Sequence, residues 1–414
     1  MRNEIKRRIE QINKGIVPEG YKRIDIGIVP DEWEYSTLGK IGEFFKGRGL
    51  PGNEMCDKGV PCCGYGDIYM KYNYYFEKAE NFVDESIAKD SQPIKKGTLL
   101  FTGTGETAEE IGKCVCYNGN ETIYAGGDII LFSTKINPLF VSYQQNIESS
   151  IKAKAKLAQG HSVVHIYADR IEKLAVAYPQ EKIEQQRIVD ILTKCNDAIT
   201  LQENLIKKLE EQRKALIQCL LATKDDWEEV KIGSLVVEKT ERNKIACENV
   251  MSVSNKLGFI NQEEQFTKQV ASVDKSNYKL VLKNYIAYNP SRINVGSIAI
   301  YTNDDMGIVS PMYVVFECKI IPPKLLLLIL STNKGKYDIE NFLSGSVRNS
   351  LNFGDLCEIK IKLPPSDSQK EIIKIFDKID KNIDLQKQKL EKLKKQQQIL
   401  MQLLLTGIVR VKYE

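Results

Sequence analysis

Apolar residues recur at alternating spacings of three and four along two stretches of the chain. The first stretch runs Ile188, Leu192, Cys195, Ile199, Gln202, Ile206, Leu209, Arg213, Leu216, Leu220. The second runs Ile372, Phe376, Ile379, Ile383, Gln386, Leu390, Leu393, Gln397, Leu400, Leu404. Residues 185–221 and 369–405 are the same segment twice, with 14 of 37 positions identical at an offset of 184. A period of 3.5 sustained over almost five heptads predicts two long helices of about 55 Å carrying a coiled-coil seam. Polar residues interrupt both stripes at matching places, Gln202 with Gln386 and Arg213 with Gln397. Such residues are expected to form polar layers that permit one antiparallel alignment. The predicted helix-pair interface is Ile188, Leu192, Ile199, Gln202, Ile206, Leu209, Leu216 and Leu220 against Ile372, Phe376, Ile383, Gln386, Leu390, Leu393, Leu400 and Leu404.

The remaining pattern is shorter in period and also repeats. Ile5, Ile9 and Ile12 predict a basic amphipathic helix over 3–14, stopped by Gly15 and Pro18. Asp31-Glu32-Trp33-Glu34 is matched by Asp225-Asp226-Trp227-Glu228, and these are the chain's two tryptophans. Strand-like runs bounded by glycines cover 98–101, 113–117 and 129–132, with helical signals over 138–158 and a strand over 171–178. The second half predicts strands over 285–288, 297–301, 313–316 and 358–363, and a helix over 323–331. Each half therefore reads as landmark, variable globular region and long helix, which is a tandem duplication. The expected domains are a basic N-terminal helix (1–20), a mixed region (21–180), a long helix (181–223), a second mixed region (224–365), and a second long helix with the C-terminal tail (366–414). The expected fold class is α+β, with two mixed α/β domains joined by two long helices under a pseudo-two-fold.

Composition narrows this picture only a little. The 414 residues are 42% hydrophobic and 28% charged, which suits a globular protein of two or three domains. Ten cysteines without a CxxC pair read as reduced, mostly buried thiols. The charged N-terminus lacks a signal peptide's apolar core, and the longest apolar run, 325–330, is far short of the roughly 20 residues that span a bilayer. A cytoplasmic protein with no membrane partner is expected. A net charge of +4 neither demands nor opposes a polyanion.

Several short motifs imitate chemistry. Phe101-Thr102-Gly103-Thr104-Gly105 follows a strand and resembles a methyltransferase cofactor loop, and Asn137-Pro138-Leu139-Phe140 is one residue from N-P-P-F. Together they sketch a stand-alone adenine-N6 DNA methyltransferase. The polar, turn-like stretch after Gly105 favours a glycine hairpin instead. Asp305 with Glu317-Cys318-Lys319 mimics a magnesium nuclease, and His161 with His165 mimics a metal pair. Neither is completed by further ligands, so no metal site and no catalytic residues are expected.

Basic, amide and aromatic residues cluster more suggestively. Lys46, Arg48, Tyr65, Lys71 and Tyr74 lie in the first half. Ser254, Asn255, Lys256, Arg292, Asn294, Ser346 and Arg348 lie in three loop-like segments of the second. Arginine can bridge guanine's major-groove edge and asparagine adenine's, while lysine and serine suit phosphates. These twelve residues are the candidate DNA contacts.

Two Trp-led regions, each followed by a Pro- and Gln-led helix, resemble the specificity subunit of type I restriction–modification systems. The resemblance is carried by Pro179-Gln180-Glu181 through Gln185–Leu192, by Pro364-Pro365 through Gln369–Phe376, and by the Leu201-Gln202 and Leu385-Gln386 pairs. The helix ends at Leu220–Thr223 and Leu403–Gly407 and the segment Tyr288–Ser297 also match, with Ala222-Thr223 departing from Thr406-Gly407. The resemblance implies two target-recognition domains, each reading half of a split site in double-stranded DNA, held apart by the two long helices packed as an antiparallel coiled coil, with helix length setting the unread spacer. It implies methylation subunits as partners, usually two, and a restriction subunit. S-adenosylmethionine, ATP and Mg2+ would be bound by those partners and not by this chain.

Overall fold

A computed structural model describes residues 2–50, 52–160, 162–222, 227–255, 257–262, 274–344 and 350–411. The chain divides into two compact units, residues 1–203 with 389–414, and residues 204–388. The division falls inside both long helices, Lys182–Leu220 and Ser366–Leu405. Neither helix contains glycine or proline, so nothing in either sequence interrupts the backbone ladder.

The first unit is built on a five-stranded sheet in the order Gly42–Lys46, Ile129–Thr134, Leu99–Thr102, Cys114–Tyr117, Tyr75–Phe76. Its pairings are antiparallel except the last. The strands of a four-stranded sheet (Asn81–Val83, Val60–Cys63, Ile123–Ala125, Gln92–Ile94) are interleaved with those of the first along the chain. Leu99, Leu100, Phe101, Cys114, Val115 and Cys116 are all buried, which fits central strands covered on both faces. Within this unit Ile188, Val189 and Leu192 share one core with Met401, Leu404 and Leu405. Glu203 pairs with Lys394 at 2.8 Å.

Trp33 closes that core. It is 2% exposed, and Phe140 meets it edge-on at 6.1 Å between ring centres. Gly407 packs against it from the C-terminal side. A Cβ at that position would lie 2.6 Å from Pro30 and 3.0 Å from Trp33 Cζ2, and the residue's φ is +68°. Only glycine satisfies both the left-handed backbone and the contact. Arg8 Nη1 donates to Ile408 O at 2.6 Å and Tyr21 Oη to Gly407 O at 3.0 Å, so the two chain ends are joined.

The second unit has a four-stranded antiparallel sheet in the order Val236–Glu238, Val314–Cys318, Ile286–Tyr288, Ile298–Ile300. Ile217, Leu221, Trp227, Ile372 and Phe376 belong to one core. Lys387 pairs with Glu210 at 2.7 Å, and Arg213 Nε donates to Asp380 Oδ1 at 2.5 Å, with Arg213 also lying over the Phe376 ring. In each unit, early residues of one helix meet late residues of the other, so the segments run antiparallel.

The units repeat one plan. In the first, Glu34–Thr37 pairs with Ala175–Tyr178; in the second, Glu228–Lys231 pairs with Lys360–Leu363. Each pairing joins the strand after the tryptophan to the strand before the long helix. The glutamines leading the helices then act alike. Gln185 Nε2 donates to Pro179 O at 2.8 Å, and Gln369 Nε2 to Pro364 O at 2.9 Å. Each fastens a first helical turn to the proline carbonyl before it.

Two sequence expectations need correction. The strand expected over 171–178 begins only at Ala175, because Ala168–Ile171 forms a helical turn. The expected strand over 358–363 likewise begins at Lys360, after a helix Phe353–Glu358. A helix not expected from the sequence, Asn333–Ser344, follows Pro323–Leu330; Thr332 Oγ1 accepts from Gly335 N at 3.0 Å and secures its start. The landmark residues Asp225 and Asp226 lie outside the described residues.

Candidate nucleic-acid interface

In the second unit the candidates among the described residues, Ser254, Asn255, Arg292 and Asn294, converge at one end of the sheet. The hairpin Met251–Ser254/Gly258–Asn261 carries Ser254 and Asn255 at its turn. The loop 289–297 carries Arg292 and Asn294. Ser297 Oγ donates to Val253 O at 2.9 Å, and a Cβ on Gly296 (φ +93°) would come within 3.5 Å of Asn255 O. The loop is fixed from within: Asn289 Oδ1 accepts from Ser291 N, Arg292 N donates to Asn289 O at 3.0 Å, and residues 293–295 make a single 3-10 turn. Leu351 N reaches Pro290 O at 3.0 Å, which brings the chain after residue 349 to the same loop. Arg292, Asn294 and Asn255 are exposed, and Arg292 has no ion pair among the described residues. A rigid loop presenting unpaired guanidinium and amide groups suits base-edge hydrogen bonding. Lys256, Ser346 and Arg348 lie outside the described residues.

The first-unit candidates do not gather. Lys46 ends the strand Gly42–Lys46 and is exposed. Arg48 follows it, with Nε donating to Asp90 O at 2.8 Å. Tyr65 is exposed at the start of a helix, Tyr65–Met70. Lys71 is engaged by Asp67 at 3.2 Å, Glu80 at 3.7 Å and Asn81 Oδ1 at 3.0 Å, so its charge is already compensated. Tyr74 is a packing residue: its ring lies 4.8 Å from Tyr143 and its hydroxyl 3.5 Å from Gln397. The aromatic crowding that singled out residues 65–75 belongs to a helix and a core edge, so Lys71 and Tyr74 both have partners within the fold.

On the long helices, Ile188, Leu192, Ile199, Gln202, Ile206, Ile372, Phe376, Ile383 and Leu404 are buried. Leu209, Leu216, Leu220, Gln386, Leu390, Leu393 and Leu400 are half-buried. The polar interruptions have individual partners: Arg213 has Asp380, Gln397 has Tyr74, and Gln386 Nε2 donates to Asn382 Oδ1 at 3.2 Å. Leu201 and Leu385, equivalent in the repeat, are 69% and 52% exposed.

The chemistry-like motifs have structural occupations. Phe101–Gly105 spans a buried strand end and a short strand, Thr104–Gly105, paired with Val164–His165. Asn137 Oδ1 caps the helix Pro138–Gln144 by accepting from Leu139 N and Phe140 N, and its Nδ2 donates to Gln186 Oε1 at 2.8 Å. Phe140 is fully buried. Those side chains are committed to the fold, leaving no loop-and-NPPF pair for a cofactor and an adenine. Glu317 is tied to Lys239 at 2.9 Å. No group of three potential metal ligands occurs among the described residues, and His161 lies outside them. No helix among the described residues is long and apolar enough to cross a membrane.

The profile of the family described as "Type I restriction modification DNA specificity domain" matches twice, over residues 30–211 and 224–395. The chain belongs to the type I restriction–modification DNA specificity family. Two proteins of Methanocaldococcus jannaschii are similar to it along nearly their whole length. One, provisionally named the type I restriction enzyme MjaX specificity subunit, is 26% identical over 95% of this chain and 97% of its own. The other, the type I restriction enzyme MjaVIII specificity subunit, is 24% identical with the same coverage. Among solved structures, the type I restriction–modification S subunit from M. genitalium shares the fold with a TM-score of 0.52 at 17% identity, covering 90% of this chain and 96% of that one. A chain from a study of complex assembly and conformational transition of the type I R-M system gives 0.54 at 12% identity, covering 92% and 99%. Both specificity-domain matches include a tryptophan-led strand, a sheet and most of a long helix, so the family boundary follows the internal repeat.

Proposed function

We propose that the two units are target-recognition domains, each reading one half of a bipartite duplex sequence in the major groove. The observation that carries this is the pair of specificity-domain matches on two sheets whose first four strands follow the same order and whose loops differ. Like supports with unlike loops suit an asymmetric site. The chain itself acts without catalysis, in the cytoplasm. Methylation subunits, two copies, bring S-adenosylmethionine and the transfer chemistry, and a restriction subunit adds ATP- and Mg2+-dependent work. The long helices act as an antiparallel coiled coil under an approximate two-fold, and their length sets the unread spacer. Methylome sequencing of a host carrying this chain with its methylation subunit tests the reading: a single bipartite motif is expected, and methylation without a split motif refutes it.

Two further outcomes follow. Inserting one heptad in both helices adds about 10 Å, so the mapped motif should gain spacer with both half-sites unchanged; altered half-sites would contradict a spacer role. The matched exposed leucines, Leu201 and Leu385, fit two equivalent docking positions for one kind of partner. Leu201→Asp with Leu385→Asp should weaken co-purification of the methylation subunit at least tenfold while leaving thermal unfolding within a degree or two, since exposed substitutions rarely move stability by more than about 0.5 kcal/mol. Unchanged co-purification would remove these leucines from the docking face.

A further inference from the structure

The order of the first four strands is shared by the two sheets and assigns counterparts to the connections between them. In the second unit the Arg292 loop links Ile286–Tyr288 to Ile298–Ile300, the third and fourth strands of its sheet. In the first unit the third and fourth strands are Leu99–Thr102 and Cys114–Tyr117, so the counterpart is residues 103–113. This is the glycine-containing turn whose sequence imitates a cofactor loop. It lies at the same end of its sheet as the Arg292 loop does, beside the end of the first strand, Lys46.

The turn is anchored at both ends. Gly103 N donates to Asp128 O at 2.9 Å and Ile166 N to Gly103 O at 3.0 Å. Tyr69 Oη donates to Thr102 Oγ1 at 2.7 Å, and Lys154, a buried ammonium, donates to Gly112 O at 2.6 Å. Around Gly103 opens a concave pocket of about 690 Å³, lined among others by Phe44, Lys46, Thr104, Asp128, His165 and Tyr167. Thr104 Oγ1 and His165 Nδ1 lie 3.2 Å apart, and the His165 and Tyr167 rings stack at 6.4 Å. Tyr167 is 54% exposed.

We propose that this pocket, with Lys46, Thr104, His165 and Tyr167 around the Gly103 turn, is the base-reading site of the first unit. The proposal rests on the function proposed above and adds the residues and the ligand chemistry. Lys46 supplies a donor for guanine O6 and N7, and His165 and Thr104 supply mixed donors and acceptors at fixed positions. Asp128 shares the pocket with Asp169 and Glu172. Their carboxylates repel a phosphate and accept from the amino groups of cytosine or adenine, so the occupant is a base edge and not the sugar–phosphate backbone.

The test uses the full chain with its methylation subunit and the bipartite duplex mapped for the wild type. Lys46→Ala, His165→Ala and Thr104→Val are compared by methylome motif and by binding to duplexes substituted one base pair at a time. Each is expected to relax one or two positions of a single half-site, with discrimination falling on the order of tenfold per lost contact, and the other half-site unchanged. Lys46→Arg and His165→Asn, gentler changes, should alter preference at those same positions with normal thermal unfolding. Unaltered preference in all five variants overturns the proposal. So does uniform weakening on every sequence, which would mark a backbone contact. A wild-type complex with no preferred sequence overturns the functional reading itself, which separates that failure from failure of the pocket.

Discussion

Trp33→Ala is expected to cost about 3–5 kcal/mol of folding stability, the usual range for deleting a large buried aromatic. The ring is almost wholly enclosed, with Phe140 edge-on to it and Gly407 and Arg410 against its other sides. Its neighbours come from the N-terminal landmark, the sheet region and the end of the second long helix, segments remote in sequence. They are too well fixed to collapse into the space left by the indole. Domains are stable by only about 5–15 kcal/mol, so the loss removes a large fraction of the total. The variant also leaves Trp227 as the sole tryptophan, so its fluorescence reports the second unit alone. Urea unfolding followed by circular dichroism and by that fluorescence should show an early transition in the first signal. A shift below about 1 kcal/mol would mean that Trp33 does not close the core.

The helices were the most legible part of the chain, and the physical reason is length. Eight apolar residues among ten positions at 3.5-residue spacing overdetermine a helix, and duplication supplies the same message twice. The tryptophan landmarks were legible for a similar reason: two rare residues at matching places. Short elements were harder. Residues 65–75 looked like a nucleic-acid surface because they are aromatic and basic, yet Lys71 is neutralised by Asp67 and Glu80, and Tyr74 packs on Tyr143. Asp67 is a helical i,i+4 neighbour of Lys71 and could have been read locally, but Glu80 and Tyr143 stand outside the stretch, where no local pattern reveals them.

The loop 289–297 was legible as a candidate because its Asn-Pro-Ser-Arg run is turn chemistry with an arginine inside it. The Gly103 turn was legible as a glycine hairpin, which the antiparallel pairing of Leu99–Thr102 with Cys114–Tyr117 bears out, but not as part of a site. Its meaning lies in strand order, which brings Lys46, Thr104 and His165 together across more than a hundred residues. Sequence periodicity carries no information of that kind. The polar interruptions of the helices show the same limit: their positions could be read, but Asp380 as the partner of Arg213 could not.

Arg292→Ala should then abolish recognition at one position of one half-site while the protein stays folded. The side chain is exposed and unpaired among the described residues, so its removal leaves no cavity and no buried charge. Its backbone is held by Asn289 and by the Gly296 turn, neither of which the substitution touches. A bidentate arginine–guanine contact is worth about 1–3 kcal/mol of discrimination, or roughly 5- to 150-fold. The lost specificity should therefore appear as several bases accepted where one was required. The opposite half-site should keep its full stringency, because it is read by the other unit. Phosphate contacts predict a different pattern, in which binding weakens equally on all sequences and the salt dependence becomes shallower by about one counterion. Measuring binding to the single-substituted duplex set at two salt concentrations separates the two. A motif unchanged at every position, or a uniform loss with a shallower salt slope, would assign Arg292 to the backbone and shift base reading in the second unit to Asn255 and Asn294.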